Sequence, residues 1–218
     1  MPSPDVSGPP TAPARRRAGR PGHDAESVLR VAVQVFNERG YDGTSMEDLA
    51  RSLGVTKSAI YHHVTGKEEL LRQSLDRALD ALFSVTREPG AVHGPAIDRL
   101  AHVVRGSIRV LADELPHVTL LLRVRGNTPV ERGALERRRE FDRFVGSLVR
   151  AGMETGDIRP DIDPAVAGRL LFGMVNSLVE WYRPGRGLEA AELADTLTAV
   201  AFSGLRSHRA TEDRSTSA

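Results

Sequence analysis

The sequence predicts an all-α protein with a small N-terminal domain and a larger C-terminal domain. Two observations predict this fold class. Apolar residues recur at helical spacing in almost every segment from residue 25 onward, so each segment would form a helix with one apolar stripe. Glycine or proline stands where such a stripe ends, as at Gly40, Gly54 and Pro89. A convincing alternation of apolar and polar residues, which is typical of strands, occurs nowhere in the sequence. We place the N-terminal domain at residues 24–68 and the C-terminal domain at residues 69–207.

The first two helices are predicted from their apolar stripes and from the glycines that end them. Residues 25–39 carry a stripe that stops before Gly40, and residues 46–53 carry one that stops before Gly54. The stripe of the first helix is Leu29, Ala32, Val33 and Phe36, and that of the second is Met46, Leu49, Ala50 and Leu53. Ala50 is small, so a third helix can cross the second one closely at a steep angle.

The third helix is expected to begin near Thr56 and to turn a polar face outward. Val55 and Ile60 are its apolar residues, and the outward residues are Thr56, Lys57, Ser58, Tyr61 and His62. These side chains offer hydrogen-bond donors and acceptors, and one aromatic ring, to DNA phosphates and base edges. The three helices therefore predict a helix-turn-helix DNA-binding domain. The alternative is an ordinary helical hairpin whose polar residues face water.

The run FNERGYDGTSMEDLARSLGVTKSAIYHHVTGKEELL resembles the DNA-binding domain of the TetR/AcrR family of bacterial repressors. The resemblance spans residues 25 to about 75, and the segments GY, LARSLGV, IYHH and GKEELL follow one another in the family order without gaps. Two positions depart from the commonest family pattern. Ser58 stands where glycine is frequent, and Val64 stands where phenylalanine usually closes the core.

The resemblance implies roles for individual residues. Thr44 would cap the second helix and touch a phosphate, Tyr61 would contact a phosphate, and Lys67 would hold the DNA backbone from the start of helix four. The residues that would face the bases are Thr56, Lys57, Ser58 and His62. Electrostatics supports the role of Lys67, because a helix N-terminus attracts phosphate through its free amides and its dipole. His62 and His63 could instead form a metal pair, but adjacent helical residues point about 100° apart, so we expect no metal site.

The charge of the chain is nearly balanced, so any basic surface must be local. There are 30 basic and 29 acidic residues, a formal net charge of +1, which argues against a protein that coats nucleic acid. Residues 1–23 contain one acid, Asp5, and four arginines, Arg15, Arg16, Arg17 and Arg20. We expect this segment to be a disordered basic arm that lies in the adjacent minor groove, with a solvated tail as the alternative. Residues 208–218 are expected to form a disordered tail.

Composition argues against several other classes of protein. Apolar residues make up 40% of the chain, as in an ordinary soluble domain. Neither a long apolar run nor a secretory leader is present, so we expect a cytoplasmic protein without a membrane partner. The absence of cysteine excludes disulfides, thiolate metal sites and a cysteine nucleophile. The sequence also lacks G-x-S-x-G, a Gly-rich phosphate loop and H-E-x-x-H, so we expect neither catalytic residues nor a cofactor.

Helical spacing continues through the C-terminal domain. The fourth helix opens at Gly66-Lys67 and stops at the break Glu88-Pro89-Gly90, and its stripe is Leu71, Leu75, Leu79 and Leu82. A fifth helix follows near Pro95, a short one contains LLLRV after Pro116, and a long one spans residues 129–155. The inward residues of the long helix are Phe141, Phe144, Val145, Leu148 and Val149, and its solvated face is most simply Arg137, Arg138 and Arg139.

The next helix is too apolar for the surface of a monomer. Asp163 can cap it with Pro164 in its first turn, and the run PAVAGRLLFGMVNSLVEWY is apolar around most of its circumference. The last helix, near residues 188–206, offers small residues at which a partner can approach closely. We expect the two helices to form a four-helix bundle across a two-fold axis, with the interface residues Leu170, Leu178, Ala190, Ala194, Leu197 and Ala201. We call the N-terminal DNA-binding domain the head. Two heads related by such an axis predict a palindromic operator with half-sites about 34 Å or more apart.

The resemblance also implies a small-molecule effector that enters the C-terminal domain and shifts helix four. The stretch MVNSLVEWYRPGRGL is similar to one in family members that respond to acyl-CoA thioesters, which an apolar cavity flanked by arginines would suit. The candidate effector residues are Arg123, Arg125, Phe141, Phe144, Met174, Asn176, Trp181, Tyr182, Arg183 and Arg186. Trp181 and Tyr182 could equally pack at the dimer seam, with the arginines as surface charges. We therefore predict a homodimeric repressor released by a ligand, with a constitutive architectural DNA-binding protein as the alternative.

Overall fold

The computed structural model of the protein describes residues 24–205, and this part of the chain folds into ten helices without a strand. The helices are α1 (Ala25–Arg39), α2 (Met46–Leu53), α3 (Lys57–Tyr61), α4 (Lys67–Val85), α5 (Pro89–Val92), α6 (Ala96–Asp113), α7 (Leu115–Arg123), α8 (Pro129–Glu154), α9 (Pro164–Trp181) and α10 (Ala190–Leu205). The all-α fold class is confirmed. The expected basic arm and C-terminal tail lie outside the described residues, as do the four arginines assigned to the arm.

The first three helices form the expected head. Ser45 begins α2 through a reciprocal capping box with Asp48, and Gly54 ends it in the left-handed conformation with φ 67°. Thr56 then caps α3 by accepting from the main-chain N–H of Ala59. The prediction that Thr44 caps α2 is wrong, because Ser45 occupies that position. The Thr44 side chain is buried, and its hydroxyl donates to the carbonyl of Gly40 at 2.7 Å.

The core of the head does not stop at the predicted domain boundary near residue 68. Leu49 and Ile60 of the head pack in one cluster with Leu71 and Leu75 of α4 and with Leu121 of α7. Each of these five side chains is at most 4% exposed. The start of α4 and one face of α7 are therefore structural parts of the head as well as of the larger domain.

A second core lies between α6, α8, α9 and α10. Its centre is formed by fully buried residues such as Leu100, Ile108 and Val149. Asp163 caps α9 as predicted, by accepting from the main-chain N–H groups of Ala165 and Val166. The break predicted at residues 88–90 is instead the start of α5, a single turn with proline in its first position.

The predicted solvated face of α8 is wrong at two of its three arginines. Arg137 donates to the carboxylates of Asp76 and Asp80 on α4 at 3.1 and 2.6 Å. Its guanidinium also lies 5.4 Å from the centre of the Phe83 ring. Arg138 is half-buried, and this burial lowers the pKa of its guanidinium. Only Arg139 is exposed in the way that was expected.

No helix between residues 24 and 205 combines the length and the apolarity that crossing a bilayer requires.

Candidate DNA-binding surface and effector cavity

The outer face of α3 presents the five polar residues that the sequence assigns to it. Thr56, Lys57, Ser58, Tyr61 and His62 are all exposed, whereas Ile60 is fully buried against the head. Tyr61 is 47% exposed although its ring is large and aromatic. The short helix thus offers hydroxyl, ammonium, imidazole and phenol groups on one side, which suits contacts with phosphates and base edges.

Lys57 is held in place by the preceding helix. Its Nζ lies 2.5 Å from a carboxylate oxygen of Glu47 on α2. The hydrogen bond from Lys57 lowers the pKa of Glu47, and the bond to Glu47 raises the pKa of Lys57. Both side chains are about half exposed. An exposed ion pair contributes little free energy, so a DNA base or phosphate can replace Glu47 as the partner of the ammonium group.

Lys67 marks the N-terminus of α4 and is fixed by the turn before α2. Its Nζ donates to the carbonyl of Tyr41 at 2.9 Å and lies 4.2 Å from the centre of the Tyr41 ring. Burial raises the pKa of the Tyr41 hydroxyl, so the phenol stays neutral beside this cation. The charge and the helix N-terminus together form the anion-attracting end that the sequence predicts.

A cavity of about 60 Å³ lies where α4, α6, α7, α8 and α9 meet. Most of its lining is apolar, and the polar groups are Ser107, Arg138, Asp142 and Asn176. Two predicted effector residues, Phe141 and Asn176, line this cavity. Arg138 and Asp142 were missed, although Arg138 follows Ala134 by four residues and precedes Phe141 by three. That spacing puts Arg138 on the inward face of α8 and is the signal that could have revealed it.

The remaining candidate effector residues do not line the cavity. Phe144 packs beside Phe141 with ring centroids 6.4 Å apart, Tyr182 is buried in the second core, and Trp181 is 55% exposed. Those that are exposed at the surface are Met174, Arg183, Arg186, Arg123 and Arg125. The structure therefore does not support one compact site made of the ten predicted residues.

Arg123 and Arg125 border a cleft between the head and the start of α8, which is a different place from the cavity. Arg123 donates to the main-chain carbonyl of Asn37 at 2.6 Å. Arg183 turns back on its own helix end and donates to the carbonyls of Tyr182 and Glu180. These bonds give Arg123 and Arg183 structural partners within the chain.

The predicted interface residues divide between the core and the surface. Leu178, Ala194 and Ala201 are at most 7% exposed and belong to the second core, so their assignment to a dimer seam is wrong. Ala190 and Leu197 are half-buried, and Leu170 is 66% exposed. A stripe of exposed apolar residues does run along α9, and α10 also exposes one large apolar residue. These residues are Val166, Leu170, Met174 and Trp181 on α9 and Val200 on α10.

Both domains of the chain match models of known protein families. Residues 28–73 match the model described as bacterial regulatory proteins of the tetR family. Residues 93–205 match the model described as the tetracyclin repressor-like C-terminal domain. The two matches cover the head and most of the larger domain, in the order that the structure shows.

Individual relatives agree with the family match. The chain is 29% identical over 205 residues to the HTH-type transcriptional repressor KstR2 of Rhodococcus jostii strain RHA1, covering 89% of this chain and 97% of the relative. The crystal structure of SCO3833, a TetR regulator from Streptomyces coelicolor A3, superposes with a TM-score of 0.78 at 56% identity, covering 83% of this chain and 91% of that one.

A more distant likeness extends to a ligand complex. AibR, solved with isovaleryl coenzyme A and operator DNA, superposes with a TM-score of 0.70 at 24% identity, over 82% of this chain and 97% of that one. This likeness is one of fold. From the family matches, the relatives and the helix-turn-helix head together, the chain belongs to the TetR family of bacterial transcriptional regulators.

Proposed function

We propose that the protein is a homodimeric repressor that binds an inverted-repeat operator and is released by a small-molecule effector of the acyl-CoA class. The observation that carries this proposal is the position of α4. Its first turns, with Leu70 and Leu71, are buried in the core of the head, and its later residues Ala78 and Leu82 line the cavity. A ligand in the cavity therefore touches the same helix that carries Lys67 toward the DNA.

The small size of the cavity indicates how a ligand would act on α4. Preformed ligand sites usually measure about 300–1,000 Å³, whereas this cavity holds about 60 Å³. A ligand of ordinary size must therefore move the surrounding helices apart, because packed interiors leave no other free space. Displacement of α4 and α7 is the expected result, and both helices belong to the core of the head.

The exposed stripe of α9 and α10 supports a dimer. Leu170 is 66% exposed, Trp181 55% and Val200 67%, and a row of such residues is unfavourable in water. Pairing of α9 and α10 with the same two helices of a second subunit would cover it in a four-helix bundle. Two heads related by a two-fold axis would then read two half-sites in inverted repeat, about 34 Å or a multiple apart.

The lining of the cavity supports a ligand with an apolar portion. Leu111, Phe141 and Val175 form apolar walls, and Arg138 and Asn176 offer donors at one side. The same combination would suit an acyl chain joined to a polar thioester. AibR, which has this fold, was solved in complex with isovaleryl coenzyme A and operator DNA. This complex and the resemblance of MVNSLVEWYRPGRGL to acyl-CoA-responsive family members support the acyl-CoA class.

Selection from a pool of random duplexes tests the proposal for DNA. We expect enrichment of an inverted repeat that the purified protein binds selectively. An architectural DNA-binding protein would enrich no defined site, since such binding discriminates poorly among sequences.

The variant Val110→Phe tests the effector site, because Val110 lines the cavity and a phenyl ring would fill it. It should keep operator affinity and lose release by the thioester that acts on the wild type. Val92→Phe, at an exposed position outside the cavity lining, is the matched control and should respond normally. Release of both variants at the same ligand concentration would contradict the assignment of the cavity.

A further inference from the structure

A second concave surface lies between α8 and the first half of α9, and it is strongly basic. Its volume is about 540 Å³, and four arginines line it: Arg139, Arg143, Arg150 and Arg169. One acidic residue, Asp142, also lines it. We refer to this surface as the arginine groove. The sequence predictions did not include these four residues among the candidate effector contacts.

The positive charge of the arginine groove is only partly neutralised within the chain. Glu136 pairs with both Arg139 and Arg143, with N–O distances of 3.1 and 3.4 Å. Hydrogen bonds from these two arginines lower the pKa of Glu136. Over residues 24–205, neither Arg150 nor Arg169 forms an ion pair with a carboxylate. Two guanidinium groups thus face the groove without an acidic partner from the described chain.

The arginine groove adjoins the cavity. Asp142 lines both surfaces, so the groove and the cavity are neighbours at this residue. Arg138, on the cavity side of Asp142, and Arg150, at the far end of the groove, are twelve residues apart on α8, a rise of about 18 Å. On α9, Arg169 lies in the groove and Asn176 lies in the cavity. Along the seam between the two helices, a basic outer surface therefore lies next to a mostly apolar inner cavity.

The arginine groove and the exposed apolar stripe occupy different faces of α9. At 100° per residue, the groove residues Ala165 and Arg169 are displaced by about 120° around the helix from the centre of the stripe that contains Leu170 and Trp181. Pairing of two subunits through the centre of the stripe would therefore use a different face of α9 from the one that carries Arg169.

The position of the groove also separates it from DNA. Ala134, near the start of α8, belongs to the core of the head, and Arg150 lies sixteen residues further on, about 24 Å along the helix axis. Along α8, the arginines of the groove therefore lie progressively further from the head, and Arg150 is the most distant of them. Arginine suits phosphate because its planar guanidinium can donate two hydrogen bonds to one phosphate group.

We propose that the arginine groove binds the phosphate groups of a nucleotide-bearing thioester such as an acyl-CoA, whose acyl end enters the cavity past Asp142. This inference rests on the proposed effector class and adds the site that holds the charged half of the ligand. Arg150 and Arg169 are the main phosphate contacts, and Arg139 and Arg143 exchange their bonds to Glu136 for bonds to the ligand.

Isothermal titration of the full chain with coenzyme A and with octanoyl-CoA tests the proposal. Arg150→Glu and Arg169→Glu should each weaken binding of both ligands by about tenfold or more, the size expected for loss of a charge-assisted hydrogen bond. Arg150→Gln and Arg169→Gln should show a smaller loss. The control is Arg87→Glu, at an exposed position outside the groove, which should bind as the wild type does. Thermal melts verify that each variant is folded.

Each possible result supports or contradicts binding of phosphate in the arginine groove. Absence of binding of coenzyme A and octanoyl-CoA to the folded wild type would overturn the inference, and so would equal affinities in the groove variants and in Arg87→Glu. Release of operator DNA is scored separately. If octanoyl-CoA binds in the groove but leaves the DNA complex intact, the inference holds and the proposed effector class fails. If it releases the groove variants from DNA as readily as the wild type, the effector class holds and the inference fails.

Discussion

Nη1 of Arg123, at the end of α7, donates to the main-chain carbonyl of Asn37, in the last turn of α1, at 2.6 Å. The side chain of Asn37 in turn donates from Nδ2 to the carbonyl of Pro116 at 2.8 Å. These two bonds tie both ends of α7 to the first helix of the head. If the proposed effector shifts α7, these bonds would carry the shift to α1, in addition to the path through α4.

Replacement of Arg123 tests this connection. Arg123→Ala should lower the free energy of unfolding by about 0.5–1 kcal/mol, because the main-chain carbonyl of Asn37 loses its donor. Arg125→Ala is the matched control, since Arg125 is exposed nearby and its removal should change stability by less than about 0.5 kcal/mol. Urea unfolding of both variants provides the comparison. Equal stabilities would show that the bond contributes nothing.

The DNA contacts can be separated by their salt dependence and their sequence dependence. Lys67→Ala should weaken binding to all duplexes alike and reduce the slope of log K against log salt by about one, as for one lost phosphate contact. His62→Ala should relax the preference at one base pair, by about 1–3 kcal/mol. Anisotropy titrations at several salt concentrations distinguish the two effects. If His62→Ala behaves like Lys67→Ala, His62 does not contact a base.

The exposed stripe predicts the effect of a single charge at its centre. Leu170→Glu should give a folded monomer that binds operator DNA far more weakly, because a carboxylate cannot be buried unpaired in an apolar interface. The control is Val92→Glu, which adds a charge at an exposed apolar residue of α5, away from the stripe. Sedimentation velocity gives the mass of each variant. Dimers that persist with Leu170→Glu would refute the proposed seam.

Two glycines within helices are expected to respond in opposite ways to alanine. A methyl group on Gly106 of α6 would overlap the side chain of Val85 at the end of α4, whereas one on Gly133 of α8 would meet nothing within 4 Å. Gly106→Ala should therefore destabilise the protein by about 1–3 kcal/mol. Gly133→Ala should stabilise it by about 0.5–1 kcal/mol, through the higher helix propensity of alanine. Thermal melts that shift in the same direction for both would contradict this packing.

His117 predicts a loss of stability in mild acid. Its Nδ1 lies 3.0 Å from the hydroxyl of Ser74, and burial lowers the pKa of the imidazole from its ordinary 6.5. As the pH falls below 6.5, the unfolded chain takes up a proton that the folded protein still excludes, so the free energy of unfolding decreases. His117→Gln should remove this part of the decrease. The measurement is urea unfolding at pH 7.5 and 5.5; identical pH dependence of both proteins would show that His117 is not the group involved.

The head could be predicted because its determinants are local. The stripe of α2 occupies eight consecutive residues, and Gly54 adopts the left-handed conformation that a glycine after a helix indicates. Arg138 was missed because three consecutive charged residues on α8 are typical of a solvated face, although its spacing from Ala134 and Phe141 indicates the inward face. The structure shows that Arg137 pairs with Asp76 on α4 and that Arg138 donates to the carbonyl of Leu121 on α7.

The sequence does not separate the two apolar faces of α9. Leu178 faces the core of its own subunit, and Leu170 faces outward. Hydrophobicity is the same at the two positions, so the sequence cannot tell which face is covered within the subunit. The cavity has the same limitation, since five helices that are far apart in sequence contribute to its lining.

The proposed repressor function, with an operator expected upstream of the protein's own gene, is tested most directly by fluorescence anisotropy with that DNA, in competition with random DNA and with added acyl-CoA thioesters. It predicts tight, selective binding of a dimer and release of the DNA by a thioester at concentrations that leave the fold intact. Equal affinity for the upstream and the random DNA at moderate salt, or selective binding that no thioester reverses, would contradict it. The first result would contradict the proposed operator, and the second would contradict the effector class.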